Sequence, residues 1–198
     1  MQKNKKAAME LSIGTMVTIV LLVSVLILGL VLVRNIFTTS TQSVDDINDK
    51  VKNEINNLFV DNTDKVLVRL GSDKKAAIAQ GTEDFGIAIG AKTYDGSSTT
   101  RERLRYKITL DTQTNRNCVD KIGERATSQL ITTPLGEWQP FDQYQGSQSY
   151  ARVAFTIPEG TAVCTQKFFV DVRDTEQTGT EFLGGTYFVI QVEEKAFF

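Results

Sequence analysis

The feature that most constrains this chain is an uninterrupted apolar segment near its start. From Leu11 to Val33 the sequence contains no charged residue. Helices that pack on one side of a globular core carry a polar face, whereas an uncharged run of this length is typical of a membrane-spanning helix. The sequence therefore predicts a long hydrophobic α-helix, with residues 8–37 as a transmembrane segment or the core of an apolar assembly.

The charges that flank this segment predict its orientation. Lys3, Lys5 and Lys6 precede the apolar run, and only Arg34 follows it closely. The positive-inside rule places such an N-terminus in the cytoplasm and the rest of the chain outside the membrane. The run is longer than the apolar part of a secretory signal, and residues 34–37 offer no small-x-small cleavage site, so a conventional cleaved signal is not expected.

Three residues of the apolar segment are candidates for contacts between helices. Gly14 and Gly29 would allow close approach of other helices, or they are simply tolerated on a lipid-facing surface. Glu10 stands at the head of the run, where a carboxylate entering hydrocarbon needs a partner or a route to water. Glu10 therefore either pairs with the terminal amine of a neighbouring subunit or lies at headgroup depth.

A second helical pattern follows a polar stretch at residues 38–43. Apolar residues then recur at steps of three and four, with charged residues between them, which predicts an amphipathic helix over residues 43–59. The polar stretch either separates two helices or is itself helical within one helix over residues 8–60. The apolar positions of the pattern are Val44, Ile47, Val51, Ile55 and Leu58.

From residue 65 onward the pattern changes to alternation of apolar and polar residues. Short alternating runs separated by turn sequences such as Asp95–Ser98 and Pro158–Gly160 are typical of antiparallel sandwiches and barrels. The predicted fold class is thus α+β, with a long N-terminal hydrophobic helix followed by an antiparallel all-β sandwich, Ig-like or related, over residues 61–198. Residues 115–148 are predicted to be mostly loop, with a short helix near 119–126.

Composition argues against several functional classes. The chain has no histidine, its formal net charge is -2, and no sequence motif of a hydrolase, nucleotide-binding or zinc site occurs in it. We therefore expect no enzyme activity, no cofactor, no metal and no nucleic-acid partner. Calcium binding by Asp171, Asp174 and Glu176 is a weak alternative to ordinary surface charges. No N-x-S/T acceptor for N-glycosylation is present.

Cys118 and Cys164 are the two cysteines of the chain, and their spacing fits neither a zinc knuckle nor a CxxC redox pair. An exported domain favours a disulfide between them, and two buried thiols are the alternative.

The N-terminal residues Lys5-Lys6-Ala7-Ala8-Met9-Glu10, followed by the apolar run, resemble a class III signal peptide. This is the leader of type IV pilins and of their archaeal relatives, the adhesion pilins and archaellins. Bacterial type IV pilins carry glycine before the cut and glutamate at the fifth mature position. Here the matching cut lies between Ala7 and Ala8, and Glu10 is the third mature residue, which favours an archaeal type.

The resemblance implies a structural subunit of an extracellular pilus-like filament. A prepilin peptidase would remove the leader, residues 1–7, and the pilus assembly machinery would polymerise the subunits through their N-terminal helices, with Glu10, Gly14 and Gly29 at the contacts. Glu10 would alternatively serve only in recognition by the peptidase. The precursor would rest in the cell membrane, and the assembled filament at the cell surface. The alternative is an uncleaved, single-pass anchor that displays an extracellular binding or adhesion domain. The aromatic residues of the outer domain either form an adhesive surface or, as we expect, pack in the core or the loops. They include Trp138, Phe141, Tyr144 and Tyr150.

Overall fold

The computed structural model describes residues 5–38, 47, 49–61, 63–114, 116–177 and 182–195 of the chain. The chain divides into two compact units, with the boundary between Ser40 and Thr41. The first unit contains helix α1, Lys5–Thr38, and the second contains a two-sheet domain with further helices. The polar stretch after Thr38 and the apolar residue Val44 lie outside the described residues.

Helix α1 is 34 residues long, which corresponds to about 51 Å at 1.5 Å per residue. Its side chains are described for residues 14–30. Within the described residues, no helix is both long enough and apolar enough to cross a membrane.

The second unit is built on two sheets. Sheet A has the strand order β1 (Val66–Val68), β3 (Thr82–Lys92), β7 (Gln148–Ile157) and β6 (Gln143–Gln145), and all its neighbours are antiparallel. Sheet B has the order β2 (Lys75–Ala79), β9 (Phe182–Glu193), β8 (Thr165–Asp174), β4 (Leu104–Leu110) and β5 (Gln139–Pro140). A helix at the N-terminus followed by a β-sandwich is therefore confirmed.

The expectation of a purely antiparallel sandwich is wrong at one edge of sheet B. Strand β2 pairs with β9 in parallel, with Lys75 beside Val189 and Ala79 beside Glu193. Alternation along a strand tells which face a side chain takes, but it carries no information about the direction of the neighbouring strand. Parallel neighbours need a long connection, and here most of the domain lies between the two strands.

The main core lies between the two sheets. Every second residue of β8 is buried, and the alternate residues are half-buried. Phe155, Phe168 and Phe188 meet at the centre, with ring centroids 5.4 to 5.8 Å apart. All three are fully buried, so their packing contributes both apolar area and aromatic contacts to stability.

A smaller core lies on the outer face of sheet A, under helix α2 (Asp49–Asp61). The buried stripe presented to the sheet comes from the helix and from Ile47, which lies two residues ahead of it, and consists of Ile47, Val51, Ile55 and Phe59. Strand β3 is consequently buried on both faces, from Phe85 to Ala91. Its residues facing α2 are small, because a helix can approach a sheet closely only where short side chains leave room.

Two short helices lie in the region that was predicted to be mostly loop. Helix α3 (Asn117–Ile122) and helix α4 (Glu124–Ser128) are separated by Gly123, whose φ of 86° favours glycine. Cys118 of α3 forms a disulfide with Cys164, immediately before β8, so the disulfide prediction is confirmed. Both cysteines are buried within the main core, and the bond ties the helical insertion to sheet B.

Candidate functional site

The candidate assembly residues all fall within α1. Ala7, Ala8 and Glu10 are helical, and their side chains lie outside the described set. Gly14 and Gly29 are exposed, and a Cβ added at either position would meet no atom within 4 Å. The space beside each glycine is therefore open to a second helix, and the roles predicted for these five residues remain predictions.

Large apolar side chains are exposed along the described part of α1. Large apolar residues occupy consecutive positions from Ile19 to Val23, and each is at least half exposed. At 100° per residue, five consecutive positions pass completely around a helix. The exposed large apolar side chains of α1 are Met16, Val17, Ile19, Val20, Leu21, Leu22, Val23, Val25, Leu26, Ile27, Leu28 and Leu30.

Two hydroxyl groups in the same stretch hydrogen-bond to the helix itself. The Thr18 hydroxyl lies 3.1 Å from the Gly14 carbonyl oxygen and 2.9 Å from that of Thr15. Ser24 donates to the Val20 carbonyl at 2.8 Å. Side chains that bond back to their own helix need no water to satisfy their donors, so these hydroxyls are compatible with an apolar environment.

The contact between α2 and sheet A combines apolar packing with polar pairs at its rim. The Tyr150 hydroxyl donates to Asn56 Oδ1 at 2.6 Å, and burial raises the pKa of this tyrosine. Arg69 of the segment after β1 pairs with Glu54 of α2. These contacts fix α2 on the sheet and make it an integral part of the sandwich unit.

A buried arginine organises one end of the sandwich. The Arg103 guanidinium, which is 4% exposed, binds Asp174 in a bidentate manner, with Nε–Oδ1 and Nη2–Oδ2 distances of 2.9 and 3.0 Å. Nη2 also donates to Asp95 Oδ1 at 2.8 Å, and Nη1 lies 3.3 Å from Glu176 Oε2 and contacts Ser97. Bidentate pairing of this kind is the strongest geometry available to arginine and carboxylate.

The charges of this cluster reinforce one another. Hydrogen bonds from the hydroxyl and the backbone N–H of Ser97, together with the Arg103 guanidinium, lower the pKa of Asp95 to about 2. The hydrogen bonds with Asp174 and Asp95 raise the pKa of Arg103. A shallow cavity of about 230 Å³ opens beside the cluster, but its charged groups already satisfy one another. The arrangement therefore clamps the loop before β4 to the end of β8.

The geometry disfavours the calcium alternative. Asp171 and Asp174 lie on opposite faces of β8, because Asp174 is buried and Asp171 is on the half-buried outer row. Asp174 and Glu176 both pair with Arg103, so a guanidinium occupies the position that a cation would need. In the described ranges, no three His, Cys, Asp or Glu residues are grouped in a way that could hold a metal ion.

The four aromatic residues considered for an adhesive surface have different environments. Phe141 and Tyr150 are buried, so they are packing residues. Tyr144 is 51% exposed on β6, and Trp138 lies half-buried next to Lys107 and Arg173. Sequence reasoning missed Arg103 and its partner Asp95, because neighbouring Arg101 and Arg105 look the same in sequence and only the fold shows which arginine is buried.

No family model matches the chain, and no curated protein matches it. Among solved structures, the Siglec domain of GspB is similar at a TM-score of 0.40 and 13% identity, over 68% of this chain and 60% of that one. The ASH/PapD-like domain of human CEP192 is similar at a TM-score of 0.41 and 14% identity, over 66% of this chain and 85% of that one. Both similarities are partial.

Proposed function

We propose that this chain is a structural subunit of an extracellular filament of the type IV pilin kind, in which α1 is the polymerising element and the sandwich is the outer shell. The observation that carries the proposal is the apolar surface around α1 between residues 14 and 30. Monomeric soluble proteins rarely expose a contiguous apolar surface of this extent, so the helix needs lipid or other copies of itself as neighbours.

The same helix suits transfer from lipid to a helical bundle. Large apolar side chains are exposed along its described part, and the hydroxyls of Thr18 and Ser24 hydrogen-bond to carbonyl groups of the helix itself. The transfer therefore exchanges one apolar environment for another, with no exposure of apolar area to water. The open space beside Gly14 and Gly29 provides two positions at which neighbouring helices could approach closely.

The sandwich unit supports this division of roles. It buries its own apolar residues in two cores, one between the sheets and one under α2. It contains a disulfide, a bond that persists in oxidising compartments such as the cell exterior. The two packed sheets, of four and five strands, are also the basis on which we propose an Ig-like sandwich. We propose that the domain lies outside the membrane, with the leader at residues 1–7 removed from the mature subunit.

Two measurements on material from the native cells test the proposal. Mass spectrometry of the filament fraction should show a new N-terminus at Ala8, and electron microscopy without detergent should show ordered filaments of the purified chain. An intact leader, together with only bilayer-bound monomers, would instead identify the chain as an uncleaved anchor for an extracellular binding domain.

A further inference from the structure

The outer face of sheet B carries an unusual association of basic and aromatic side chains. In β4, in β8 and in β9 from Phe188 onward, one row of residues is buried in the main core, and the alternate row points outward. Trp138, in the segment before β5, lies against this outward row through contacts with Lys107 and Arg173. We call this surface the basic aromatic face, and it consists of Lys74, Lys107, Trp138, Lys167, Phe169, Asp171, Arg173 and Tyr187.

The cations of the basic aromatic face stack on its rings in two clusters. In the first, Lys107 Nζ and Arg173 Cζ lie 4.8 and 4.6 Å from the Trp138 ring centroid. In the second, Lys167 Nζ lies 4.4 Å from the Tyr187 centroid and 4.5 Å from that of Phe169. Contacts of this geometry are attractive and hold flexible cationic side chains in place, so a bound anion would cost less side-chain entropy.

A third lysine extends the second cluster toward the edge of the sheet. Lys74 Nζ lies 4.9 Å from the Tyr187 centroid and donates to Thr186 Oγ1 at 3.1 Å. Tyr187 itself is 39% exposed. Basic groups thus run across neighbouring strands of a chain whose formal net charge is -2, which concentrates positive potential on one face of an otherwise acidic molecule.

Asp171 lies between the two clusters and indicates which kind of anion fits. Its cross-strand neighbours are Lys107 on β4 and Gly185 on β9. The carboxylate extends over Gly185, since a Cβ added there would lie 3.2 Å from Asp171 Oδ1. A nucleic-acid backbone carries a charge at every nucleotide and would be repelled by this carboxylate. A polysaccharide presents hydroxyl groups between its charged groups, and a hydroxyl can donate to Asp171.

We propose that the basic aromatic face binds an acidic polysaccharide, whose carboxylate or sulfate groups pair with the cations of the two clusters and whose sugar rings pack on the exposed part of Tyr187. The cations of this face lie on or beside several neighbouring strands of sheet B, so an extended polymer can contact both clusters by lying across the strands. This proposal does not depend on filament formation, because a single anchored domain would present the same face.

The full-length chain in a non-ionic detergent can be tested against immobilised polygalacturonate, which supplies carboxylates, and dextran sulfate, which supplies sulfates. Neutral dextran serves as the uncharged comparison. We expect binding to at least one acidic polymer, weakening as salt is raised, and no binding to dextran. Absence of binding to both acidic polymers, or equal binding to dextran, would overturn the proposal.

A matched pair of double variants distinguishes the effect of this face on binding from the effect of the net charge of the chain. Lys107→Gln with Lys167→Gln removes one cation from each cluster and should weaken binding about tenfold. The control, Lys65→Gln with Lys92→Gln, removes two lysines that also stack on aromatic rings, those of Tyr94 and Phe59. These lysines belong to the other sheet and its flanking segment, so the control should change affinity less than twofold. Equal weakening by both variants would exclude a specific face.

A third variant tests the contribution of the rings. Tyr187→Ala removes an exposed side chain and should weaken binding to the acidic polymer severalfold while the melting temperature stays within a few degrees. If the Tyr187 variant bound the acidic polymer with unchanged affinity, this result would contradict the packing of sugar rings on Tyr187. Duplex DNA that competes as effectively as the polysaccharide at matched charge would also contradict the proposal, since it would show a face that binds any polyanion.

Discussion

Gly90 of β3 lies directly beneath Ile55 of α2, and a Cβ added to this glycine would lie 2.5 Å from Ile55 Cγ2. No side-chain atom can occupy that space unless Ile55 or the helix itself shifts. The Phe59 ring is the next neighbour, at 3.3 Å from the same point. Gly90 therefore determines how closely α2 can approach sheet A. Glycine is needed at this position because of the lack of space, and not because of the backbone conformation.

Gly90→Ala should destabilise the sandwich unit by about 1–3 kcal/mol, because the added methyl group overpacks the contact. Urea denaturation followed by circular dichroism measures the loss. Adding Ile55→Ala removes the clashing Cγ2, so the double variant should lose less than the sum of the two single changes. Gly71→Ala is the control, because its Cβ would meet only Asp73 Oδ1 at 3.4 Å. Equal effects at the two glycines would argue against this contact.

Arg103→Met should cost about 3–5 kcal/mol of unfolding free energy, since it leaves the buried Asp174 carboxylate without its partner. The matched control is Arg105→Met, which breaks a more exposed pair with Glu102 and should cost at most about 1 kcal/mol. Combining Arg103→Met with Asp174→Leu removes both buried charges and should recover much of the loss. A single Arg103 variant as stable as the Arg105 control would show that the cluster contributes little.

The Asp95 carboxylate should make stability depend on pH in the acid range. Its pKa is lowered to about 2 in the folded chain, against about 3.9 in an unfolded one. Between these values the unfolded state binds more protons, so this contribution is present above about pH 4 and is lost as the pH falls through about 2. Carboxyl NMR titration should show the low midpoint. In Ser97→Ala the midpoint should move upward, and an unchanged midpoint would rule out Ser97 as the main cause.

Replacing both cysteines by alanine should lower the unfolding free energy of the sandwich unit by about 4 kcal/mol in the chain-entropy model, because the bond closes a loop with a sequence separation of 46. Calorimetry of the oxidised chain with and without a reductant gives the corresponding change in melting temperature. The double variant has no disulfide and is the control, since its melting temperature should not respond to the reductant. A melting temperature of the native chain that also does not respond would contradict this expectation.

Glu10→Ala should abolish or strongly reduce filaments if this carboxylate pairs with the terminal amine of a neighbouring subunit. The sandwich unit should stay folded, because Glu10 belongs to the other compact unit. Electron microscopy counts the filaments, and circular dichroism monitors the fold. Glu137→Ala, at an exposed position of the sandwich, is the control and should assemble normally. Normal filaments from the Glu10 variant would refute the pairing.

Local patterns predict much of this fold because they act over a few residues. The alternation in β8 predicts correctly that Phe168, Val170 and Val172 face the core. In β3, small residues alternate with Phe85, Ile87 and Ile89. The sequence alone does not show that a helix covers these small residues. The disulfide could be predicted because only two cysteines exist to be paired.

Other features depend on residues that meet only after folding. Arg103 and Asp174 are 71 residues apart in sequence, and no spacing rule links them. The parallel pairing of β2 with β9 and the two clusters of the basic aromatic face likewise arise from sheet order. Local sequence patterns therefore predict the helices, the strands and the faces that they bury. Residues and strands that are distant in sequence are paired only by the fold.

The position of β9 between β2 and β8 has a consequence for synthesis. Residues 182–193 leave the ribosome after β2 and β8, and they supply Phe188 and Ile190 to the core and pair with both of these strands in sheet B. Until they emerge, β2 and β8 expose unpaired edges, which are prone to aggregation. A nascent chain thus presents its N-terminal helix well before its sandwich can close, and truncation ahead of Phe182, which removes β9, should yield a substrate for chaperones and proteases.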